Sequence, residues 1–75
     1  MNKLLSEALL NNKLIDFLGF SWFKEGIEQA VFKAMKRLRA RGNDVDLLTL
    51  RDELNAMRKL EEVGGESYLS SLVDR

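Results

Sequence analysis

The sequence predicts an all-α fold, a compact bundle of about five short helices, and three observations lead to this prediction. Apolar residues recur at steps of three and four along the chain, as they do on one face of a helix. No segment shows the period-two alternation of β-branched residues that is typical of a strand. The 75 residues include no proline, so no ring interrupts a helical segment. At this length we expect residues 1–75 to form a single helical domain.

The first two predicted helices are short and are separated by a pair of asparagines. A leucine-rich helix covers about residues 2–10, and Asn11-Asn12 then favours a turn, because asparagine tolerates turn and cap conformations. A second helix covers about residues 13–18, and Gly19 is expected to end it in the left-handed conformation. The apolar residues that this second helix would bury are Leu14, Phe17 and Leu18.

The third predicted helix is the longest and covers about residues 21–41, with Ser21 as its N-cap. Gly26 lies inside this range at a cost of about 1 kcal/mol relative to alanine, so Gly26 marks an alternative start. The buried stripe consists of Phe23, Ile27, Ala30, Val31, Ala34 and Leu38. Phe32 falls off that stripe. Either the helix packs on more than one side, or Phe32 belongs to an exposed association surface.

Local signals also delimit the fourth helix. Arg41-Gly42 is typical of a helix end, with a basic last turn followed by glycine. Asp46 is a suitable N-cap for a helix over about residues 47–58. Asp44, Asp46 and an oxygen of Thr49 could in principle ligate a divalent cation, but the capping role of Asp46 is favoured.

Two adjacent glycines, Gly64-Gly65, precede the fifth predicted helix, over about residues 66–73. Glycines before a helix are typical of phosphate-binding loops. The Walker A motif, however, requires a lysine after its last glycine, and this chain has Glu66 there, which would repel phosphate. We therefore expect a tight turn.

The composition excludes several classes of active site. The chain contains no cysteine and no histidine, so it has no disulfide, no thiolate nucleophile, no imidazole metal ligand and no Ser–His–Asp triad. Without an ATPase motif or a catalytic cluster, we expect no enzymatic activity and no cofactor. The sequence shows no membrane-spanning apolar run and no signal-peptide pattern, so we expect a cytoplasmic protein.

Charge is unevenly distributed although the formal net charge is zero. Residues 1–41 carry eight basic and four acidic groups, whereas residues 42–75 carry four basic and eight acidic groups. The basic groups are concentrated in the third helix, at Lys33, Lys36, Arg37, Arg39 and Arg41. Such a face is either simply solvated, or contacts an acidic protein partner, or contacts nucleic-acid phosphates.

Several short motifs occur in a fixed order along the chain. They are V-F-K-A at 31–34, R-G at 41–42, V-D-L-L-T-L at 45–50, L-E-E-V-G-G at 60–65 and Y-L at 68–69. This order, over about residues 20–74, resembles the N-terminal domain of bacterial replicative hexameric DNA helicases of the DnaB type. Glycine at position 26 and glutamate at position 28 stand where that family usually has proline and histidine.

The resemblance implies a non-catalytic module that supports hexamer assembly and docks primase. The expected partners are other helicase subunits, through self-association, and primase or a helicase loader. The family's helical hairpin and ATP-hydrolysing motor would lie beyond Arg75, so this chain corresponds to the globular head. Its candidate partner-binding residues are Phe32, Lys36, Arg37 and Arg39.

Alternative interpretations remain open at the level of sequence. The primase C-terminal helicase-binding domain is a structural relative of this head, and its start also resembles the leucine-rich residues 4–12. A stand-alone phage or plasmid regulator of the replisome is equally compatible with the length. A DNA-binding helical module, which would use the basic third helix, is the second alternative.

Overall fold

The computed structural model describes residues 3–23 and 26–73, apart from the side chains of residues 3 and 73. Five α-helices and one short 3-10 turn make up the regular structure of these ranges. The helices are α1 (Lys3–Leu10), α2 (Lys13–Phe17), α3 (Ile27–Ala40), α4 (Leu47–Ala56) and α5 (Gly65–Val73), and the 3-10 turn is Phe20–Trp22. No strand occurs in these ranges. The predicted all-α fold of about five short helices is confirmed.

The long helix begins later than the main prediction placed it. Gly26 has φ +98° and ψ −124°, a conformation outside the helical region, and α3 starts at Ile27. Ser21 belongs instead to the 3-10 turn and caps nothing. The predicted N-cap at Ser21 is therefore wrong and the alternative start at Gly26 is correct, because the glycine permits a sharp change of chain direction there.

Helix α2 also differs from its prediction. Gly19 is extended, with φ −118° and ψ 165°, so it does not end α2 in the left-handed conformation. Ile15 is the fully buried residue of this helix, whereas Phe17 is 83% exposed. The reason is geometric: residues two apart on a helix point about 200° apart, so burial of Ile15 turns Phe17 outward.

The predicted boundary between α3 and α4 is confirmed. Gly42 has φ +78°, and the N–H groups of Gly42 and Asn43 donate to carbonyls in the last turn of α3. At the start of α4 the Asp46 side chain accepts from the Thr49 N–H at 2.9 Å, and the Thr49 hydroxyl accepts from the Asp46 N–H at 2.9 Å. This reciprocal capping box fixes where α4 begins.

Helix α4 ends at Ala56, two residues before its predicted end. Arg58 stops it with φ +59°, the one positive value at a non-glycine residue in the described ranges. Gly64 and Gly65 follow with φ +105° and +69°, which confirms the tight turn before α5. A β-carbon on Gly64 would lie 3.1 Å from that of Tyr68.

The core draws on every helix, and Phe32 is one of its largest fully buried side chains. The ring of Phe32 packs against Phe23 at 4.7 Å between centroids, and against the edge of Phe20 at 5.1 Å. The prediction that Phe32 belongs to an exposed association surface is wrong, because α3 is packed on more than one side. The buried apolar residues are Leu5, Ala8, Ile15, Phe23, Val31, Phe32, Ala34, Met35, Leu38, Val45, Leu50, Leu54, Val63, Leu69 and Leu72.

Asn12 joins the α1–α2 turn to the α3–α4 turn. Its Oδ1 accepts from the Val45 N–H at 2.7 Å, while its Nδ2 donates to the carbonyls of Val45 at 3.1 Å and Ala8 at 3.0 Å. One half-buried amide thus satisfies both backbone groups of a buried residue 33 positions away. This clamp holds α1 and α2 in place against the rest of the bundle.

Replacing Asn12 with alanine should lower the free energy of unfolding by about 2 kcal/mol, because both backbone groups of Val45 lose their partner. For a domain of this size, the corresponding fall in Tm is roughly 10 °C. Thermal unfolding monitored by circular dichroism measures the change. Asn55→Ala is the matched control, since Asn55 is exposed near the end of α4, and it should leave Tm almost unchanged. Equal stability of the two variants would contradict the clamp.

Replacing Arg58 with glycine should raise the free energy of unfolding by about 1 kcal/mol, because a left-handed conformation strains any residue with a β-carbon. Arg58→Ala keeps the β-carbon and should give no such gain. Urea unfolding of both variants tests this. A stabilisation by alanine equal to that by glycine would point to removal of the charged side chain as the cause.

Candidate interaction surface

The arginines on the basic side of α3 are paired with carboxylates of the same chain. Arg37 Nε lies 2.6 Å from Glu53 Oε2, and Arg41 Nη2 binds the other oxygen of Glu53. The Glu53 side chain is 2% exposed, whereas both arginines are about half exposed. A carboxylate from α4 is therefore buried beneath two guanidinium groups from the end of α3.

These arginines decide the protonation state of Glu53. The hydrogen bond from Arg37 is the largest cause of the lowered pKa of Glu53, and Arg41 lowers this pKa further. Burial by itself would raise the pKa, but the two arginines outweigh it. Glu53 is thus ionised at neutral pH although it is buried. Removal of its cations would leave an uncompensated buried charge.

Arg39 forms a second ion pair that joins α2 to α3. Its Nη2 lies 2.6 Å from Asp16 Oδ2 and its Nε lies 3.3 Å from Asp16 Oδ1, a two-point contact. The hydrogen bond from Arg39 lowers the pKa of the Asp16 carboxyl. Because both groups are solvated, the pair orients α2 more than it stabilises the fold.

The lysines of α3 have different surroundings. Lys36 Nζ lies 5.4 Å from the centroid of the Phe32 ring, within reach of a cation–π contact. Lys33 is exposed. Of the predicted contact residues, Phe32 is buried, Arg37 and Arg39 have intrachain partners, and Lys36 lies over the buried aromatic ring.

A surface that was not assigned as a contact site from the sequence lies in the segment 17–22. Phe17 is 83% exposed, Trp22 62% and Phe20 43%, and we call these three side chains the aromatic surface. Sequence analysis assigned Phe17 to the core. The available signals were positional: Phe17 lies two residues beyond Ile15 in α2, and Trp22 lies outside the stripe of α3. Leu10, Ile27 and Leu48 are also exposed.

The aromatic surface is held on α3 by one amide. Gln29 Nε2 donates to the carbonyl of Phe20 at 3.2 Å and to that of Phe23 at 3.1 Å. The edge contact between Phe20 and the buried ring of Phe32 adds a second attachment. The backbone of the 3-10 turn and the ring of Phe20 are therefore held against α3 in the free chain.

Next to Phe20, a groove of about 410 Å³ lies between the first half of α3 and the α4–α5 turn. Its apolar lining includes Phe20, Ile27, Ala30 and Val63, and its charged side includes Lys33, Lys59 and Glu62. Phe20 belongs both to the groove and to the aromatic surface. The two features therefore share one side chain.

Two of the three residues considered for a cation, Asp46 and Thr49, have their side chains engaged in capping interactions. The Thr49 hydroxyl donates to the Asp44 carbonyl at 3.0 Å and accepts from the Asp46 N–H. Within residues 3–23 and 26–73, no three acidic side chains come together in a geometry that could hold a metal ion. In the same ranges, no helix is both long enough and apolar enough to cross a membrane.

Comparison with known proteins gives consistent results. The family described as the DnaB-like helicase N-terminal domain matches residues 2–75. The replicative DNA helicase DnaB of Geobacillus stearothermophilus is 50% identical over 52 residues, which are 69% of this chain and 12% of that protein. The DnaB of Rickettsia conorii is 34% identical over 74 residues, which are 93% of this chain and 15% of that protein.

A solved structure matches the fold. The crystal structure of the N-terminal domain of DnaB helicase from Mycobacterium tuberculosis superposes with a TM-score of 0.85 and 29% identity, over 95% of this chain and 52% of that one. The chain spans only a small part of the length of the curated relatives that it matches, 12% and 15% in these two cases.

The stabilising effect of Glu53 should depend on pH. The pKa of Glu53 is lowered in the folded state, so its contribution to the free energy of unfolding is complete above the ordinary pKa of 4.5. This contribution is lost as the pH falls through the folded-state pKa. We expect Glu53→Gln to cost about 1–3 kcal/mol at neutral pH. That deficit should shrink below pH 4.5. Thermal unfolding across the acidic range measures it.

Glu61→Gln provides the control for this pH series, since it makes the same chemical change at an exposed position. Its Tm should follow that of the parent chain at every pH. A deficit in Glu53→Gln that stays constant into the acidic range would contradict an ionised, arginine-bound Glu53.

Proposed function

Because this chain belongs to the family of DnaB-like helicase N-terminal domains, we propose that it is a non-catalytic protein-interaction module of DNA replication. In this role it supports assembly of the helicase hexamer and docks primase or a helicase loader. The chain itself holds no Walker A motif, so ATP hydrolysis would belong to a motor domain of the parent protein. The site of action in this proposal is the cytoplasm.

The exposure of the aromatic surface is the observation that carries the proposal. Phe17, Phe20 and Trp22 present large apolar rings to solvent within six consecutive residues. Burial of such area against a partner is favourable by about 25 cal/mol per Å², and aromatic residues are enriched among the side chains that dominate binding energy. Since the 3-10 turn is already fixed to α3, little ordering cost opposes the association.

The ion pairs of α3 favour a protein partner over DNA. Arg37 and Arg41 are held by Glu53, and Arg39 is held by Asp16. A phosphate group would have to compete with these carboxylates. Lys33 and Lys36 remain for such contacts, which is fewer than the several phosphate contacts of a typical DNA-binding protein.

The two related interpretations receive less support than the helicase interpretation. The family model matches residues 2–75, and the similar curated proteins are replicative helicases, which supports a helicase head rather than the primase helicase-binding domain. A stand-alone regulator with the same head would use the same aromatic surface. The experiment below therefore tests both.

The double variant Phe17→Ser, Trp22→Ser should bind its partner at least about tenfold more weakly, because two aromatic contacts of hot-spot type are lost. Isothermal titration calorimetry with the cognate primase, and sedimentation for self-association, measure the effect. The Tm should change little, since both side chains are mostly exposed. Leu48→Ser is the matched control, because Leu48 is a 59% exposed apolar residue on α4.

Unchanged binding by the double variant would show that the docking surface lies elsewhere on the chain. Failure of the parent chain to bind primase, a loader or a second helicase head at tens of micromolar would reject the interaction module itself. Binding to DNA with a steep salt dependence that is lost on charge reversal of Lys33 and Lys36 would favour the DNA-binding alternative.

A further inference from the structure

We propose that the groove beside the aromatic surface binds a helical segment of a partner protein that carries apolar side chains with acidic ones at one end. This inference rests on the proposed function, because it names the chemistry of the partner that the docking surface accepts. It depends on two independent properties of the groove: an apolar floor that is already formed, and a basic end without a counter-charge.

The floor of the groove is apolar and is formed in the free chain. Phe20 and Ile27 are 43% and 42% exposed, while Val63 lies at the bottom with 1% exposed. Phe20 cannot easily swing away, because its edge packs on the buried ring of Phe32 and its carbonyl is held by Gln29. The volume of about 410 Å³ lies in the usual range of binding sites. The floor therefore suits aliphatic or aromatic side chains of a partner.

The charged side of the groove is basic on balance. Lys59 Nζ lies 3.0 Å from Glu62 Oε2, so these two charges offset each other. Within the described part of the chain, no carboxylate forms an ion pair with Lys33. An acidic group on the partner would find uncompensated positive charge here.

The positions of residues along α3 set the spacing expected in the partner. Ile27, Ala30 and Lys33 follow one another at steps of three and all line the groove, so its wall changes from apolar to basic along the helix. From Ile27 to Lys33 the helix axis rises about 9 Å, which is less than two turns. A partner helix lying along this wall, in either chain direction, could thus place apolar residues near Ile27 and a carboxylate near Lys33.

The test uses the full chain and a displayed library of helical peptides about sixteen residues long. Each peptide has apolar residues at helical spacing, and glutamate, lysine, serine or alanine at the randomised flanking positions. Selection on the parent chain should enrich glutamate over lysine at one end of the apolar residues. Amide chemical-shift changes on binding of a selected peptide should centre on Ile27, Ala30, Lys33 and Val63.

Two variants and one control separate the contribution of charge from non-specific apolar binding. Lys33→Glu should weaken the selected acidic peptide about fivefold and shift a repeated selection towards lysine. Ile27→Ser should weaken acidic and basic peptides alike. Lys13→Glu makes the same charge change at an exposed position on α2 outside the groove, and it should leave the affinity unchanged.

Selected peptides without an acidic bias, or with a bias that Lys33→Glu does not alter, would overturn the inference. So would shift changes confined to other surfaces, or stronger binding of a single-stranded oligonucleotide in the same groove. Its failure is distinguishable from failure of the proposed function. If primase binding still depends on Phe17 and Trp22, the proposed interaction module stands, and only the proposal of an acidic helix in the groove is rejected.

Discussion

A buried carboxylate under two arginines constrains the whole structure. Glu53 projects from α4 into the contact with α3 and is almost inaccessible to solvent, so it requires cations close by. Arg37 and Arg41 supply them from the last turns of α3. The position of α4 against α3 follows from this pairing together with the capping box at Asp46. An ionised group in the interior has few alternative arrangements, which favours one packing of the two helices.

The same interaction determines which surfaces are left for partners. The basic cluster of α3 resembles a binding face in the linear sequence, yet its arginines serve the fold, through Glu53 and through Asp16. Exposed apolar area instead lies near the start of α3, in the aromatic surface and the adjoining groove. Electrostatic stabilisation and surface available for association are therefore separated along one helix. This division suits a docking module, because the arginines that hold the domain together are already engaged with carboxylates of the same chain.

Local chemistry explains the parts of the fold that were predicted. The capping role of Asp46, the glycine stop at Gly42 and the turn at Gly64-Gly65 depend on residues close in sequence, and each was predicted correctly. The main errors concern burial. Phe17 was assigned to the core, and Phe32 was left open between a second packed side of α3 and an exposed association surface, because periodicity on one helix cannot show which neighbouring helices cover which side. The predicted start of α3 depended on whether Gly26 continues the helix or bends the chain. Glycine can adopt either conformation, so the sequence left both starts possible.

By itself, the sequence determined the fold class, the number of helices, most of their boundaries and the family. Those features depend on helical periodicity, on caps and on the order of short motifs, all of which are readable along the chain. Only the tertiary structure decided which charged and aromatic side chains are free to contact a partner. That distinction requires contacts between distant residues, as between Arg39 and Asp16, or between Asn12 and Val45. A charged residue engaged in an ion pair looks the same in the sequence as a solvated one, so its availability is a property of the packed helices alone.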